Sequence, residues 1–135
     1  MNRPRMCSRW YLEVVSVPPG HAAAAAALGG PVRFPGERIA LDFPASGRQT
    51  IGRSPGRADL PFAHGSMGQN QPYGLELRDG KLFLIDHGAC NPASHNGAPL
   101  GFCAAVPLEP GDEITVGGAP FVLRVAAPAR APGSA

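Results

Sequence analysis

The sequence predicts an all-β protein, a β-sandwich of about ten to eleven short strands, and three observations carry that reading. The 18 glycines and 16 prolines are spread as punctuation between apolar runs, which favours many short strands over long helices. Arg38 to Phe43 alternates strictly, with Ile39, Leu41 and Phe43 on one face and Arg38, Ala40 and Asp42 on the other. Asp79-Gly80 stands between two apolar runs, the residue pair best suited to a tight hairpin turn. A chain of 135 residues that is 44% hydrophobic can build one core of ordinary size, so a single domain is expected.

In chain order, residues 1–9 form an Arg-rich lead with little to bury, expected to fray. Trp10 to Val17, rich in aromatic and β-branched residues and stopped by Pro18-Pro19-Gly20, is the first strand. Residues 19–36 form an insertion rich in Ala, Gly and Pro. Its six alanines favour helix, but the run is short and offers almost no large side chain to dock, so a loop with one helical turn is expected. After the alternating strand at Arg38, Gln49 to Gly52 reads as a short strand that delivers Arg53 into a loop. A brief apolar piece at Leu60 to Phe62 precedes an aperiodic polar segment, Ala63 to Tyr73. The hairpin around Asp79-Gly80 follows, then a loop from Asp86 to Gly97. A strand from Ala104 to Leu108 and a terminal hairpin, Glu113 to Val116 with Phe121 to Val125, complete the set. The tail, 126–135, cannot bury enough to order itself.

Composition excludes several function classes. Twelve Lys and Arg against 10 Asp and Glu leave a charge of only +2, without the basic surface that nucleic acid or anionic lipid requires. Cys7, Cys90 and Cys103 cannot all pair internally, and no disulfide framework is indicated. The N-terminal arginines are not followed by the apolar run of a signal peptide, and no stretch reaches the roughly 20 apolar residues of a membrane span. A soluble cytoplasmic domain without membrane insertion is the expectation. His87, Cys90, His95 and Cys103 are zinc-ligand types, but their spacing matches no zinc pattern, so neither metal nor cofactor is assigned. Cys90 with His87 or His95 lacks an orienting third residue and an oxyanion-type glycine arrangement. No catalytic residue is assigned and the chain is not read as an enzyme.

Several features then stand in a telling order: Ile51-Gly52-Arg53-Ser54, Asp59-Leu60, the Asp79-Gly80 hairpin, Asp86 through Asn96-Gly97, and Leu108-Glu109-Pro110-Gly111-Asp112-Glu113-Ile114. In this order and spacing the chain, from Trp10 to Val125, resembles a forkhead-associated (FHA) domain, a β-sandwich module whose relatives bind phosphothreonine peptides through loops at one end. The family loop Asp-x-Gly-Ser-Thr-Asn-Gly-Thr-x-x-Asn-Gly is matched at Asp86, Gly88, Asn91, Asn96 and Gly97 without a gap. The resemblance implies a protein–protein interaction module with Arg53 as the phosphate cation, Asn91 as a contact to peptide backbone, and Gly52, Gly88, Asn96 and Gly97 as loop-structural residues.

Other positions depart from the family. Counting back from the hairpin puts Gln69 at the family's serine and Pro72 at its histidine, and Ser66 fills the serine role only through a shifted register. Cys90 stands for a threonine, a much weaker donor, while Ala89 and Pro92 replace Ser and Gly. The implied contact set is therefore Arg53, Ser54, Ser66, Gln69, Cys90 and Asn91. The alternative implied by the resemblance is a phospho-independent scaffold or adaptor in a bacterial secretion or signalling assembly; the Ala, Gly, Pro and Arg usage fits a GC-rich bacterial source. The oligomeric state is left open.

Overall fold

The computed structural model describes residues 10–67, 72–101 and 103–127. The N-terminal lead 1–9, Gln69 and residues 128–135 of the tail lie outside the described residues. Within them the order is β1 (Trp10–Ser16), α1 (His21–Leu28), β2 (Arg38–Leu41), β3 (Arg48–Gly52), β4 (Leu60–Pro61), β5 (Tyr73–Arg78), β6 (Lys81–Asp86), β7 (Ser94–His95), β8 (Ala98–Pro99), β9 (Ala105–Leu108), β10 (Glu113–Val116) and β11 (Phe121–Ala126). The strands form two sheets, one ordered β2-β1-β11-β10-β7-β8 and the other β4-β3-β5-β6-β9. The architecture is the all-β sandwich that the sequence predicts. Pairing is antiparallel except between β3 and β4, where Ile51 sits beside Leu60 in a parallel register.

Period-two patterning sets the faces. Phe121, Leu123 and Val125 of β11 are buried and alternate with partly exposed neighbours, and Leu82 and Leu84 of β6 do the same in the opposite sheet. These meet Leu12, Val14, Ile51, Leu75 and Ile114 in one continuous core. Burial of each such side chain contributes about 1.5–3 kcal/mol. Asp79 and Gly80 both have positive φ, at 50° and 80°, as a type I′ turn requires, and Arg78 pairs with Lys81 across it.

The insertion departs from the loop expected of it. His21–Leu28 is an eight-residue helix, closed at both ends by glycines in left-handed conformation, Gly20 (φ 87°) and Gly29 (φ 72°). The carbonyls of Ala25 and Ala26 accept from Gly30 and Gly29, so the last turn is closed as in a Schellman motif. Its docking residue is a histidine rather than a large apolar side chain. The His21 ring is buried against Phe121, edge on at 4.9 Å, and Ala25 lies buried one turn along the same face. The main chain of Arg33 donates to His21 Nε2 at 2.7 Å, so Nδ1 carries the proton and donates to the Ala63 carbonyl at 2.7 Å. No helix among the described residues is long and apolar enough to cross a membrane.

Candidate functional site

Three connections meet at one end of the sandwich, the loop after β3, residues 63–67 after β4 and the loop after β6, and the turn between β10 and β11 is hydrogen-bonded to Tyr73 and Ser66 there. Between them lies a cavity of about 240 Å³ lined by Arg53, Gly65, Ser66, Met67, Tyr73, Ala89, Cys90 and Asn91. Arg53, Ser66, Cys90 and Asn91, four of the residues implied by sequence, are thus brought together. Ser54 is not among the lining residues; its carbonyl accepts from Arg57 and Ala58 and closes the turn beyond Arg53.

Asp86 organises the loop after β6. Its buried carboxylate accepts the N–H groups of Gly88 (2.8 Å) and Ala89 (2.9 Å) on Oδ1 and of Ala93 (3.0 Å) on Oδ2. Gly88 takes φ 91°, which folds the chain back over the carboxylate. This leaves Cys90 and Asn91 exposed at the loop's crest.

The cavity floor is Tyr73, which the sequence reading did not single out. Its ring is buried, its hydroxyl donates to the Asn91 carbonyl, and it accepts from the Gly117 N–H at 3.0 Å. Burial pushes its phenol above the ordinary value; the Gly117 N–H opposes this, and the Asp86 and Cys90 charges add to it. A tyrosine opening a strand after a polar segment, an apolar ring with one polar tip, is the signal that could have marked it.

Ser66 is a junction rather than a projecting donor. The Ser66 N–H donates to His64 Nδ1 at 3.0 Å, which makes that nitrogen an acceptor and leaves Nε2–H to donate to the Pro19 carbonyl at 3.0 Å. The Ser66 hydroxyl, 2.9 Å from Nδ1, therefore donates to the ring, and its oxygen accepts the Ala119 N–H at 2.9 Å. The Ser66 carbonyl accepts Asn91 Nδ2 at 3.2 Å. Asn91 Oδ1 has no partner among the described residues, so the side chain keeps an acceptor and a second amide hydrogen for a ligand's backbone.

Arg53 differs from these tied groups. Among the described residues it forms no ion pair, and its Nε is buried without a hydrogen-bond partner. Such an orphaned donor is unusual in a native fold and costs about 1–3 kcal/mol. Nε is one edge of the planar fork with which a guanidinium pairs to an oxyanion.

The remaining positions are structural in their contacts. Gly52 closes β3, its carbonyl accepting from Phe62. Asn96, at φ 51°, is bonded to the start of β10 and to the turn before it: its Oδ1 accepts the Glu113 N–H at 2.8 Å and its Nδ2 donates to Asp112 at 3.2 Å. Gly97 follows at φ 87°. Pro72 is buried and its carbonyl accepts the His87 N–H, which extends the β5–β6 ladder rather than entering the cavity. Among the described residues no group of three His, Cys, Asp or Glu is placed to hold a metal.

No family model matches the sequence, and no curated protein sequence does. Solved structures do match in fold. An FHA domain of the CT664 protein of Chlamydia trachomatis is similar over 90% of this chain and 99% of that one, with TM-score 0.64 and 17% identity. An FHA domain of an Arabidopsis thaliana hypothetical protein is similar over 96% and 93%, with TM-score 0.69 and 17% identity. The N-terminal FHA domain of S. cerevisiae Rad53p, solved in complex with a phosphothreonine peptide, is similar over 71% and 86%, with TM-score 0.59 and 24% identity.

Proposed function

Since this chain has the FHA fold, we propose that it is a protein–protein interaction module that reads phosphothreonine peptides through Arg53 and the 86–97 loop. The observation that carries the reading is Arg53, which lines a cavity of about 240 Å³ with its Nε buried and unpaired. A phosphothreonine brings roughly −1.5 to −2 charges and three acceptor oxygens, and an oxyanion at the cavity would satisfy that donor. Asn91 then holds the peptide main chain. Ser66 braces the loops and leaves Arg53 as the principal anchor. Each charge-assisted hydrogen bond is worth about 1.5–3 kcal/mol, so Arg53→Ala is expected to weaken binding by about ten- to a hundred-fold.

A second reading, a phospho-independent scaffold or adaptor of a bacterial secretion or signalling assembly, is favoured by one observation: the Ser66 hydroxyl is already donated to His64. The experiment that separates the two is binding of a phosphothreonine peptide library to the wild type and to Arg53→Ala. Phosphate-dependent binding lost on substitution supports the reader. Binding absent, or indifferent to Arg53, supports the scaffold.

A further inference from the structure

Among the described residues the strongly exposed large apolar side chains are three, Leu28 (40%), Val32 (50%) and Phe34 (57%), and all belong to the insertion. Val32-Arg33-Phe34 is inverted in polarity: Arg33 is only 8% exposed while the apolar residues on either side face out. Arg33 is pinned inward. Its Nε donates to the Pro61 carbonyl at 3.2 Å, its Nη1 pairs with Glu37 at 3.0 Å, and its guanidinium lies 4.9 Å from the Phe62 ring centre. With its N–H on His21, the segment holds Val32 and Phe34 outward on a fixed support.

That support meets the cavity's surroundings at one hydrogen bond and comes close to them at a second point. The Pro19 carbonyl accepts from His64, which in turn holds Ser66 of the lining. A Cβ at Gly30 would lie 3.5 Å from the ring of Pro55, two residues beyond Arg53. The exposed apolar residues are therefore carried by a segment that neighbours the Arg53 loop.

We infer that the insertion forms an apolar shelf beside the cavity, on which a nonpolar side chain flanking the phosphothreonine of a bound peptide packs. The inference rests on the phosphothreonine reading above and assigns its ligand a class: phosphopeptides with an aliphatic or aromatic residue near the phosphate. Three partly exposed side chains offer a few hundred Å² at most, well short of the roughly 800 Å² per partner of a standard protein interface. A patch of that size suits one or two peptide side chains anchored by a neighbouring charge contact rather than a second copy of the chain.

The test is fluorescence anisotropy with labelled phosphothreonine peptides of otherwise polar sequence, in which a leucine is walked through the flanking positions. The full chain is used, as wild type, Val32→Asp, Phe34→Asp, and the milder Val32→Ser and Phe34→Ser, with melting temperatures measured to confirm folding. Leucine at one or two positions is expected to tighten wild-type binding roughly five- to ten-fold, and that gain is expected to vanish in the variants. No gain at any position, or a gain that survives in the folded variants, overturns the shelf while leaving the phosphothreonine reading intact. Concentration-dependent self-association of the wild type that Phe34→Asp abolishes also overturns it, in favour of a contact between copies. Absence of phosphate-dependent binding to any peptide overturns both.

Discussion

The phenol of Tyr73 donates its proton to the backbone carbonyl of Asn91 and accepts the N–H of Gly117, so one buried hydroxyl joins the loop after β6 to the turn after β10. Tyr73→Phe removes both bonds and leaves two backbone groups to find other partners. Its expected cost is about 1–3 kcal/mol in urea denaturation. A wild-type-like midpoint would contradict the bridging role.

Asp86→Ala takes the acceptor from three loop N–H groups, those of Gly88, Ala89 and Ala93. A loss of about 3–5 kcal/mol is expected. Asp86→Asn keeps one oxygen but turns an amide toward an N–H, so it should fall between, at about 1–3 kcal/mol. Wild-type stability in Asp86→Asn would show that one of the two carboxylate oxygens is idle, and stability equal to that of Asp86→Ala would show that a single retained oxygen does not hold the loop.

Gly118→Ala tests close approach. A Cβ there would lie 2.9 Å from Asn91 Nδ2 and 3.1 Å from its Cγ. The Asn91 side chain must swing away, breaking its bond to the Ser66 carbonyl, at a stability cost of about 1 kcal/mol. Phosphopeptide affinity measured by calorimetry should fall by more than that cost alone implies.

Acid should expose the bracing of Asp112. Burial raises its carboxyl pKa, but the bonds from His95 (2.7 Å), the Glu109 N–H (2.9 Å) and Asn96 outweigh this and hold it below 3.8. A carboxyl with a depressed folded-state value stabilises the fold fully above its unfolded value. That contribution is lost as pH falls from about 3.8 through the lower folded value. Asp112→Asn should lower stability near neutral pH and flatten its decline on the acid side; parallel pH profiles for variant and wild type would refute this.

His21→Ala should release the insertion. It leaves the Ala63 carbonyl and the Arg33 N–H unpaired and opens space beside Phe121, for about 2–4 kcal/mol. Proteolytic nicking within 19–37 should accelerate before global unfolding; cleavage unchanged in rate would mean that the helix is held by something other than the histidine.

The strands were legible in sequence because alternation and turn residues are local signals, as at Arg38 to Leu41 and Asp79-Gly80. The helix His21–Leu28 was not, because its anchor is a polar ring whose partners Ala63 and Phe121 lie far along the chain. Within the candidate site, Arg53 and Asn91 are implied by the resemblance that the order of the loop motifs carries. Tyr73 enters the cavity only through bonds to Asn91 and Gly117, and no periodicity reports such contacts. Ser66 carries the hydroxyl that a phosphate donor needs, yet its proton goes to His64, a commitment visible only once residues two apart are seen to turn toward each other.

The bonds that brace the cavity join residues distant in sequence: Asn91 to Ser66 across 25 positions, Tyr73 to Gly117 across 44, and Ser66 to Ala119 across 53. Closing segments of that length costs entropy before any contact rewards it. The bracing of the cavity therefore depends on contacts between segments far apart in the chain. A nascent chain lacks that bracing until Gly117 and Ala119, in the turn before β11, have been synthesised, so the face is held together by residues that leave the ribosome well after its own lining.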